Sequence, residues 1–453
     1  MLFDEIVAIS TAYGKAAISV IRMSGENSIK MLNRAFKGKD LTKVKSHTIN
    51  YGHIMSDKNE IIDEVMVSVF HAPKSFTSEN MVEVSTHGGI LVTNKVLERL
   101  LEIGFRLARP GEFSERAYLN GRIDLVQAEA VMDLIEARTN QALKIAHLGL
   151  NKESTKLVNN LQDKLLSIIA QIEVNIDYPE YDDAIIMSKE IIGPETKSLL
   201  QEINHIIKES EKNQIIREGV KTVIVGRPNV GKSSLLNALL NEDKAIVTDI
   251  AGTTRDTIEA EINIGGIILH LIDTAGIRET KDYVEKLGVE RSKKALLEAE
   301  LALLVLDSSE ELTSEDLELL ELTKDKKRLI IGNKADIDKR INLDELIFIS
   351  ALHKKGFETL EEKILKLLEL SDILDRDYNY LSNARHIQKL KEAKNSLEQV
   401  LKSIELNMPV DVYAIDLTDA WHKLLEILGV RFENKLIDEL FSKFCLGKWY
   451  NSW

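Results

Sequence analysis

Eight residues near the middle of the chain, Gly226-Arg227-Pro228-Asn229-Val230-Gly231-Lys232-Ser233, leave few folds open. They fit G-x-x-x-x-G-K-[ST], the P-loop pattern. Before them, Val220-Lys221-Thr222-Val223-Ile224-Val225 is a β-branched run of strand length. After them, Ser234-Leu235-Leu236-Asn237-Ala238-Leu239-Leu240 has the apolar density of a buried helix. A strand, a glycine-bounded turn and a helix aim free backbone N–H groups and a positive helix end at one point, which suits a polyphosphate. In that arrangement Lys232 reaches the terminal phosphates, and the Ser233 hydroxyl binds the Mg2+ that neutralises them. Asn229, Val230, Gly231 and Ser234 complete the expected cradle.

Further boxes follow at strand ends. The apolar run Ile267 to Ile272 ends in Asp273-Thr274-Ala275-Gly276. An aspartate there can hold Mg2+ through its water, and the glycine N–H can sense a γ-phosphate. Leu329 to Ile331 leads into Asn333-Lys334-Ala335-Asp336. This pattern selects guanine, because the Asp336 carboxylate accepts from the ring N–H and the exocyclic amine, which adenine cannot match. Ser350-Ala351-Leu352 ends the next strand and is expected to close over the base. Between the P-loop and Asp273 lies the hydroxyl-rich loop Thr248-Asp249-Ile250-Ala251-Gly252-Thr253-Thr254-Arg255-Asp256, in which Thr254 is the candidate second protein ligand to Mg2+. In this order the boxes point to a GTPase.

One position departs from the Ras pattern. Ile277 stands where a glutamine orients the attacking water, and an isoleucine cannot do that. Asn229 is placed to coordinate a monovalent cation against the phosphates. Arg278 and Glu279 are the nearest polar groups on the following loop, where Glu279 is either a water-positioning group or a solvated surface residue. Cys445 is the other catalytic candidate: either a small buried residue, or a thiol activated by the lysine in Phe444-Cys445-Leu446-Gly447-Lys448.

The totals bound the rest. At 453 residues the chain suggests about three domains. Its net charge of −14 argues against coating nucleic acid non-specifically, while leaving room for a local basic patch. With one cysteine no internal disulfide is possible, and a reducing compartment is expected. The N-terminus lacks signal-peptide regions, and no apolar run approaches about 18 residues. The expectation is a soluble, cytoplasmic protein with no membrane contact.

Residues 1–118 read as mixed α/β, with strands over Glu5 to Ser10, Ala17 to Arg22, Val65 to Phe70 and Met81 to Ser85, and a helix over Ile90 to Ile103. His87-Gly88-Gly89 reads as a turn with a structural histidine. From Asp124, the expected N-cap of Asp124-Leu125-Val126-Gln127, helical texture runs to about Ile176. It resumes from about Pro194, expected at a helix start, to Ile216. The acidic break Tyr178 to Asp183 reads as a solvated loop. Residues 217–376 form the P-loop domain, and 377–453 return to helical texture, with stripes at Leu417, Ala420, Trp421, Leu424, Leu425 and Leu428 and at Leu436, Ile437, Leu440, Phe441 and Phe444. Helices on both sides of a compact α/β unit suggest that the nucleotide domain is inserted into a helical domain comprising 119–216 and 377–453.

The run Arg109-Pro110-Gly111-Glu112-Phe113-Ser114-Glu115-Arg116-Ala117-Tyr118-Leu119-Asn120-Gly121 adds a more specific signal, as do Asp124-Leu125-Val126-Gln127-Ala128-Glu129-Ala130, Asp256 after Thr-Thr-Arg, and Cys445-Leu446-Gly447-Lys448. With these, the chain resembles the tRNA-modification GTPase family MnmE, also called TrmE, over nearly its whole length. The resemblance implies an α/β plus all-α protein: an N-terminal α/β folate-binding-like domain, a discontinuous helical domain and an inserted Ras-like P-loop G domain. It implies work on wobble uridine 34 of certain tRNAs. There a carboxymethylaminomethyl or aminomethyl group is added at C5, using a one-carbon unit from a tetrahydrofolate derivative (5,10-methylene or 5-formyl). The implied assembly is a homodimer, joined into a heterotetramer with the flavoprotein MnmG, and FAD enters only through that partner. Folate contacts would fall on Arg22, Glu83, Arg122 and Lys448, with Arg122 standing where the family has lysine. K+ would be held by Asn229, Thr248, Ile250 and Thr253 as two G domains dimerise. Glu279 matches the residue that positions the attacking water, and Cys445 matches the family's C-terminal cysteine. Trp449-Tyr450-Asn451-Ser452-Trp453 follow the motif at which the family pattern closes. The rival readings are a GTP-switched ribosome-assembly factor, which calls for a basic RNA-binding appendage, and a folate-dependent methyltransferase that uses GTP only for regulation.

Overall fold

The computed structural model describes residues 4–177, 189–241, 258–272, 295–337, 339–341, 343 and 345–429. The chain divides into two compact units, Met1–Met132 with Leu425–Trp453, and Asp133–Leu424.

The first unit is built on a seven-stranded sheet. Its strands are β1 (Ile6–Ile9), β2 (Ile18–Ser24), β3 (Phe36–Gly38), β4 (Thr48–Met55), β5 (Ile61–Phe70), β6 (Met81–His87) and β7 (Arg106–Leu107), in the spatial order β3-β4-β5-β6-β2-β1-β7. Only β1 and β7 pair in parallel. Alternation along β5 buries Val65, Val67 and Val69 and exposes Glu64 and Met66, as expected for a sheet covered on one face. Helix α1 (Ser28–Leu32) and helix α2 (Ile90–Glu102) lie on the covered face, where Val96, Leu97 and Leu100 of α2 meet Val7, Ile21, Val67 and Val84. Helices α3 (Glu112–Leu119) and α4 (Leu125–Glu136) follow. The expected cap of α4 is present: Gln127 N–H donates to Asp124 Oδ1 at 2.8 Å, and Asp124 N–H donates to Gln127 Oε1 at 3.2 Å. The strands read from sequence are there. β4 was not read, because Asn50, Gly52 and His53 interrupt its β-branched pattern; it is fixed by pairing with β5 instead.

The second unit holds helices α5 (Asn140–Leu150), α6 (Glu153–Asp177) and α7 (Lys189–Glu218) before a six-stranded sheet. The sheet comprises β8 (Val220–Val225), β9 (Ile258–Ile264), β10 (Ile267–Ile272), β11 (Leu301–Asp307), β12 (Lys327–Asn333) and β13 (Ile347–Phe348). Their order is β13-β12-β11-β8-β10-β9, parallel except for the β9–β10 hairpin. Helices α8 (Lys232–Asn241), α9 (Ser314–Leu322) and α10 (Phe357–Leu367) belong to this α/β body. Apolar cores lie on both sheet faces, so β11 is buried along its whole length.

The α/β body is inserted between helices. Chain from α7 enters β8 through Gly219, and after α10 it returns to α7: Asn213 Nδ2 donates to Tyr378 O at 3.1 Å, and Leu381 N–H donates to Ser210 Oγ at 3.2 Å. Helix α11 (Ala384–Glu405) then packs along α7, with Lys391 Nζ 2.6 Å from Glu211, and α12 (Val410–Leu428) follows. One boundary differs from expectation. Helix α7 begins at Lys189, so Pro194 lies inside it. The proline removes one backbone bond, close enough to the helix start for the rest of the ladder to continue. The acidic break after Asp177 and the second C-terminal apolar stripe lie outside the described residues.

Candidate functional site

Strand β8 delivers the loop Gly226 to Gly231 to the first turn of α8, at the carboxyl ends of parallel strands where ligands of such sheets bind. Two residues turn the loop through left-handed backbone: Asn229 at φ 65° and Gly231 at φ 96°. A Cβ at Gly231 would overlap the Asn333 amide, so only glycine fits where the two loops touch. Ser233 and Ser234 are exposed on the first turn of α8, where backbone N–H groups have no intrahelical acceptor. Lys232 Nζ donates to the carbonyls of Gly226 at 2.7 Å and Arg227 at 2.9 Å, folding its side chain over the loop. Burial lowers its pKa.

The base-recognition end is assembled around Asn333, which is buried. Its Nδ2 donates to Val230 O at 3.0 Å, and its Oδ1 accepts from Ala351 N–H at 3.0 Å. One side chain thus joins the P-loop, the Asn-Lys-Ala-Asp turn and the Ser-Ala-Leu turn. Ser350 Oγ donates to Asp336. That bond, chief among the causes, holds the Asp336 carboxyl below its usual pKa and therefore ionised as an acceptor. Leu352 stands 80% exposed at the edge of the site, open to cover a base.

Five supporting residues, Asp307, Ser308, Ser309, Glu310 and Asp316, were not anticipated. Asp307, 3% exposed, accepts from Lys334 Nζ through one oxygen and from Ser309 N–H and Oγ through the other. Burial pushes the Asp307 carboxyl up, but these donors, Lys334 first, hold it below its ordinary range. Ser308 donates from both N–H and Oγ to Asn333 O, at 2.9 and 2.7 Å. Arg227 of the P-loop pairs with Glu310 and with Asp316 of α9. The one legible signal was the apolar run Leu301 to Leu306 ending in Asp-Ser-Ser, a strand end like that before Asp273. Thr248 to Thr254, Asp273 to Gly276 and Glu279 lie outside the described residues.

In the first unit, Arg22 on β2 and Glu83 on β6 are register partners on the sheet face away from α2. Arg22 Nε donates to Glu83 Oε1 at 2.8 Å, and the guanidinium lies over the rings of Phe76 and Phe113 at 5.6 and 5.8 Å. Arg122 is exposed, and among the described residues no hydrogen bond links it to that pair. Cys445 and Lys448 lie outside the described residues. The Arg109–Gly121 signature packs beneath the site. Buried Glu112 accepts from Arg106, from Arg109 N–H and from fully buried Arg116, while Arg116 also reaches Asp4 and Glu79. The turn into α3 is made by Gly111 at φ 71°. His87 has the structural role expected of it, with its N–H and Nδ1 both on the Asp63 carboxylate, at 2.8 and 2.7 Å.

The sequence matches known proteins over nearly its whole length. A family model described as the MnmE helical domain matches residues 125–445, and one described as the GTP-binding protein TrmE N-terminus matches residues 5–122. A tRNA modification GTPase MnmE of Acholeplasma laidlawii (strain PG-8A) is 63% identical over 448 residues, covering 99% of this chain and 100% of the relative. Proteins of the same description are 54% identical in Aster yellows witches'-broom phytoplasma (strain AYWB) and 51% identical in Streptococcus gordonii. Those alignments cover 99% and 98% of this chain, and 100% and 99% of the relatives.

Proposed function

The chain belongs to the MnmE family of tRNA modification GTPases, and from that premise we propose how its GTPase acts in tRNA modification. GTP binds with its phosphates on Asn229 to Ser234 and its guanine between Asp336, Lys334 and the Ser350–Leu352 turn. The observation that carries this reading is the Asn333 bridge, which assembles the phosphate and base ends into one site.

The donor set fits the ions the reading requires. The exposed Ser233 hydroxyl is a hard oxygen ligand suited to Mg2+, and Thr254 is its proposed companion. Asn229, exposed and held at positive φ, offers an amide oxygen to K+, with Thr248, Ile250 and Thr253 as the proposed remainder. Bound there, the cations would supply positive charge against the phosphates. Glu279 orients the attacking water, the task Ile277 cannot perform. K+-dependent G-domain dimerisation drives hydrolysis.

The N-terminal domain, residues 1–118, is proposed to dimerise and to bind a tetrahydrofolate derivative through Arg22, Glu83, Arg122 and Lys448. Glu83 supplies a carboxylate suited to pterin N–H groups, and the Arg22 stack on two phenyl rings keeps the pair in place. The helical domain is proposed as 119–216 with 377–453, and the G domain as 217–376. With the flavoprotein MnmG, which brings FAD, the protein adds the aminomethyl-type group to uridine 34 in the cytoplasm. Cys445 is the remaining catalytic candidate.

The test is GTP hydrolysis by the purified chain in matched K+ and Na+ buffers, with Glu279→Ala alongside and oligomeric state followed in GDP plus aluminium fluoride. Strong K+ stimulation, lost in Glu279→Ala while nucleotide still binds, is the expected result. Equal rates in both salts from a G domain that stays monomeric would remove the cation and dimerisation from the mechanism.

A further inference from the structure

The segment Lys30 to Lys45 carries six cations, Lys30, Arg34, Lys37, Lys39, Lys43 and Lys45, against one carboxylate, Asp40. Six against one is +5, within a chain whose net charge is −14. The segment runs from α1 through β3, an outermost strand of its sheet, into the 3-10 turn Leu41–Lys43. All six cations are exposed. Asp40 is committed locally: its Oδ1 accepts from Thr42 N–H at 3.1 Å and from Thr42 Oγ1 at 2.6 Å, capping the turn. Lys43 also reaches Asp40, at 3.1 Å, from a side chain 83% exposed, and such a pair is worth little in water. The other five cations pair with no carboxylate among the described residues. The β4–β5 turn beside them adds Lys58 against Asp57 and Glu60, which leaves this edge at +4.

The backbone beneath the charge is fixed. Leu41 is fully buried, and its N–H donates to Asn33 Oδ1 at 2.8 Å. Phe36 is buried, and a Cβ at Gly52 on β4 would overlap its ring. Met55 N–H donates to Ala35 O at 2.8 Å. At the far end His71 donates from Nε2 to Val44 O and from its N–H to Ser46 Oγ, both at 3.0 Å. Like charges held on an ordered frame repel one another, and a polyanion relieves that repulsion. Lysine on an edge strand also keeps other strands away. Only Lys37 lies within β3, however, so that purpose leaves the other five cations without a reason.

We propose that this β3 edge of the N-terminal sheet is where the phosphate backbone of the tRNA docks. This rests on the reading that the chain acts on tRNA, and adds where it holds it. Five unpaired cations can each meet a phosphate without first releasing a carboxylate, and an ordered frame has little to lose on binding. Such contacts position the RNA without reading its sequence. A protein partner suits the edge less well. Protein interfaces are depleted in lysine and built around apolar anchors, and no large apolar side chain between Lys30 and Lys45 is exposed.

The experiment is binding of a labelled, unmodified tRNA transcript to the full chain across a salt series. The variant Lys37→Gln/Lys39→Gln/Lys43→Gln/Lys45→Gln is expected to bind at least about tenfold more weakly at low salt. The slope of log K against log salt should flatten by about 3, as four lost phosphate contacts require. Arginine at the same four positions keeps the charge and should keep both affinity and slope. Equal loss in the arginine variant would trace the effect to the fold of the edge and overturn the proposal. Native-like affinity and slope in the glutamine variant overturn the docking edge while leaving the tRNA reading in place. If the native chain binds no tRNA at low salt, that reading falls, and the edge with it. Light scattering on the same samples covers the remaining case. A glutamine variant that changes oligomeric state while binding tRNA like the native chain would make the edge a contact between copies and also overturn the proposal.

Discussion

Asn333 concentrates more of the nucleotide site than any phosphate-facing group, because both ends of its amide are committed to other loops. Its partner constraint is Gly231, where any Cβ meets the Asn333 amide and the backbone sits at φ 96°. Gly231→Ala must therefore push Asn333 off Val230 or Ala351. Breaking one or two buried hydrogen bonds costs about 1–3 kcal/mol each. The expected loss of GDP affinity is about ten- to a hundredfold, measured by titration with a fluorescent GDP analogue. Asp307 works one step further out, holding Lys334 by its ammonium. Asp307→Asn keeps the shape but removes the charge, so GDP should bind about three- to tenfold more weakly. Because Asp336 is untouched, the preference for guanine over adenine nucleotide should persist. Equal loss of affinity and selectivity would mean that Asp307 shapes the whole loop and not Lys334 alone.

The element scale shows what the sequence could and could not disclose. Strand β8, the P-loop and α8 were legible because a strict motif sat between two segments of opposite periodicity. The α4 cap was legible because Asp124 and Gln127 stand at the required spacing. Strand β4 was hidden, since polar and glycine residues occupy it and only its neighbour β5 holds it extended. The Arg109–Gly121 signature was legible as a family mark, but its ion network was not: Arg116 gains partners in Asp4 and Glu79, distant in sequence. That network carries a pH signature. Hydrogen bonding from Arg106 holds the Asp4 carboxyl down at about 2. A depressed folded pKa gives stability that is present above the unfolded value and lost as pH falls toward the folded one. Asp4 should thus stabilise its unit fully above about pH 4 and progressively less down to about pH 2. Urea midpoints measured over that range should fall less steeply for Asp4→Asn than for the native chain. Parallel curves would show that the pair is too exposed to contribute.

At the scale of the whole second unit, insertion of one body into another raises the question of how firmly they are joined. Two covalent links alone would leave the α/β body a tethered bead. The core says otherwise: Ile145 of α5 and Ile216 of α7, 4% and 1% exposed, belong to the same cluster as Val220, Leu269 and Leu271 of the sheet. Leu370, Ile373 and Tyr378 of the returning chain close that cluster, and Arg376 is locked to Glu209 at 2.8 Å. Polar contacts reinforce the joint, for Glu261 on β9 pairs with Arg138 ahead of α5, and the His270 ring on β10 reaches the Glu218 carbonyl of α7 through Nε2 at 2.8 Å. The β9–β10 hairpin is therefore seated against the helices, and it stands in sequence between the loop carrying Thr254 and the turn carrying Asp273. A change at the nucleotide would then meet the helical domain through packed side chains as well as through the chain links. Ile216→Ala separates the two pictures. In a tethered bead it would weaken only α7, and nucleotide binding would survive to the native temperature. In a shared core it leaves a cavity costing about 2–4 kcal/mol, felt by sheet and helices together. We expect GDP release and loss of helical signal to shift downward together in Ile216→Ala, followed by nucleotide fluorescence and circular dichroism in one melt. Residues 217–376 produced alone should melt below the full chain, since Ile145, Ile216 and Tyr378 no longer cover the sheet. An isolated domain as stable as the intact protein would return the joint to two flexible links and leave the hairpin without a lever.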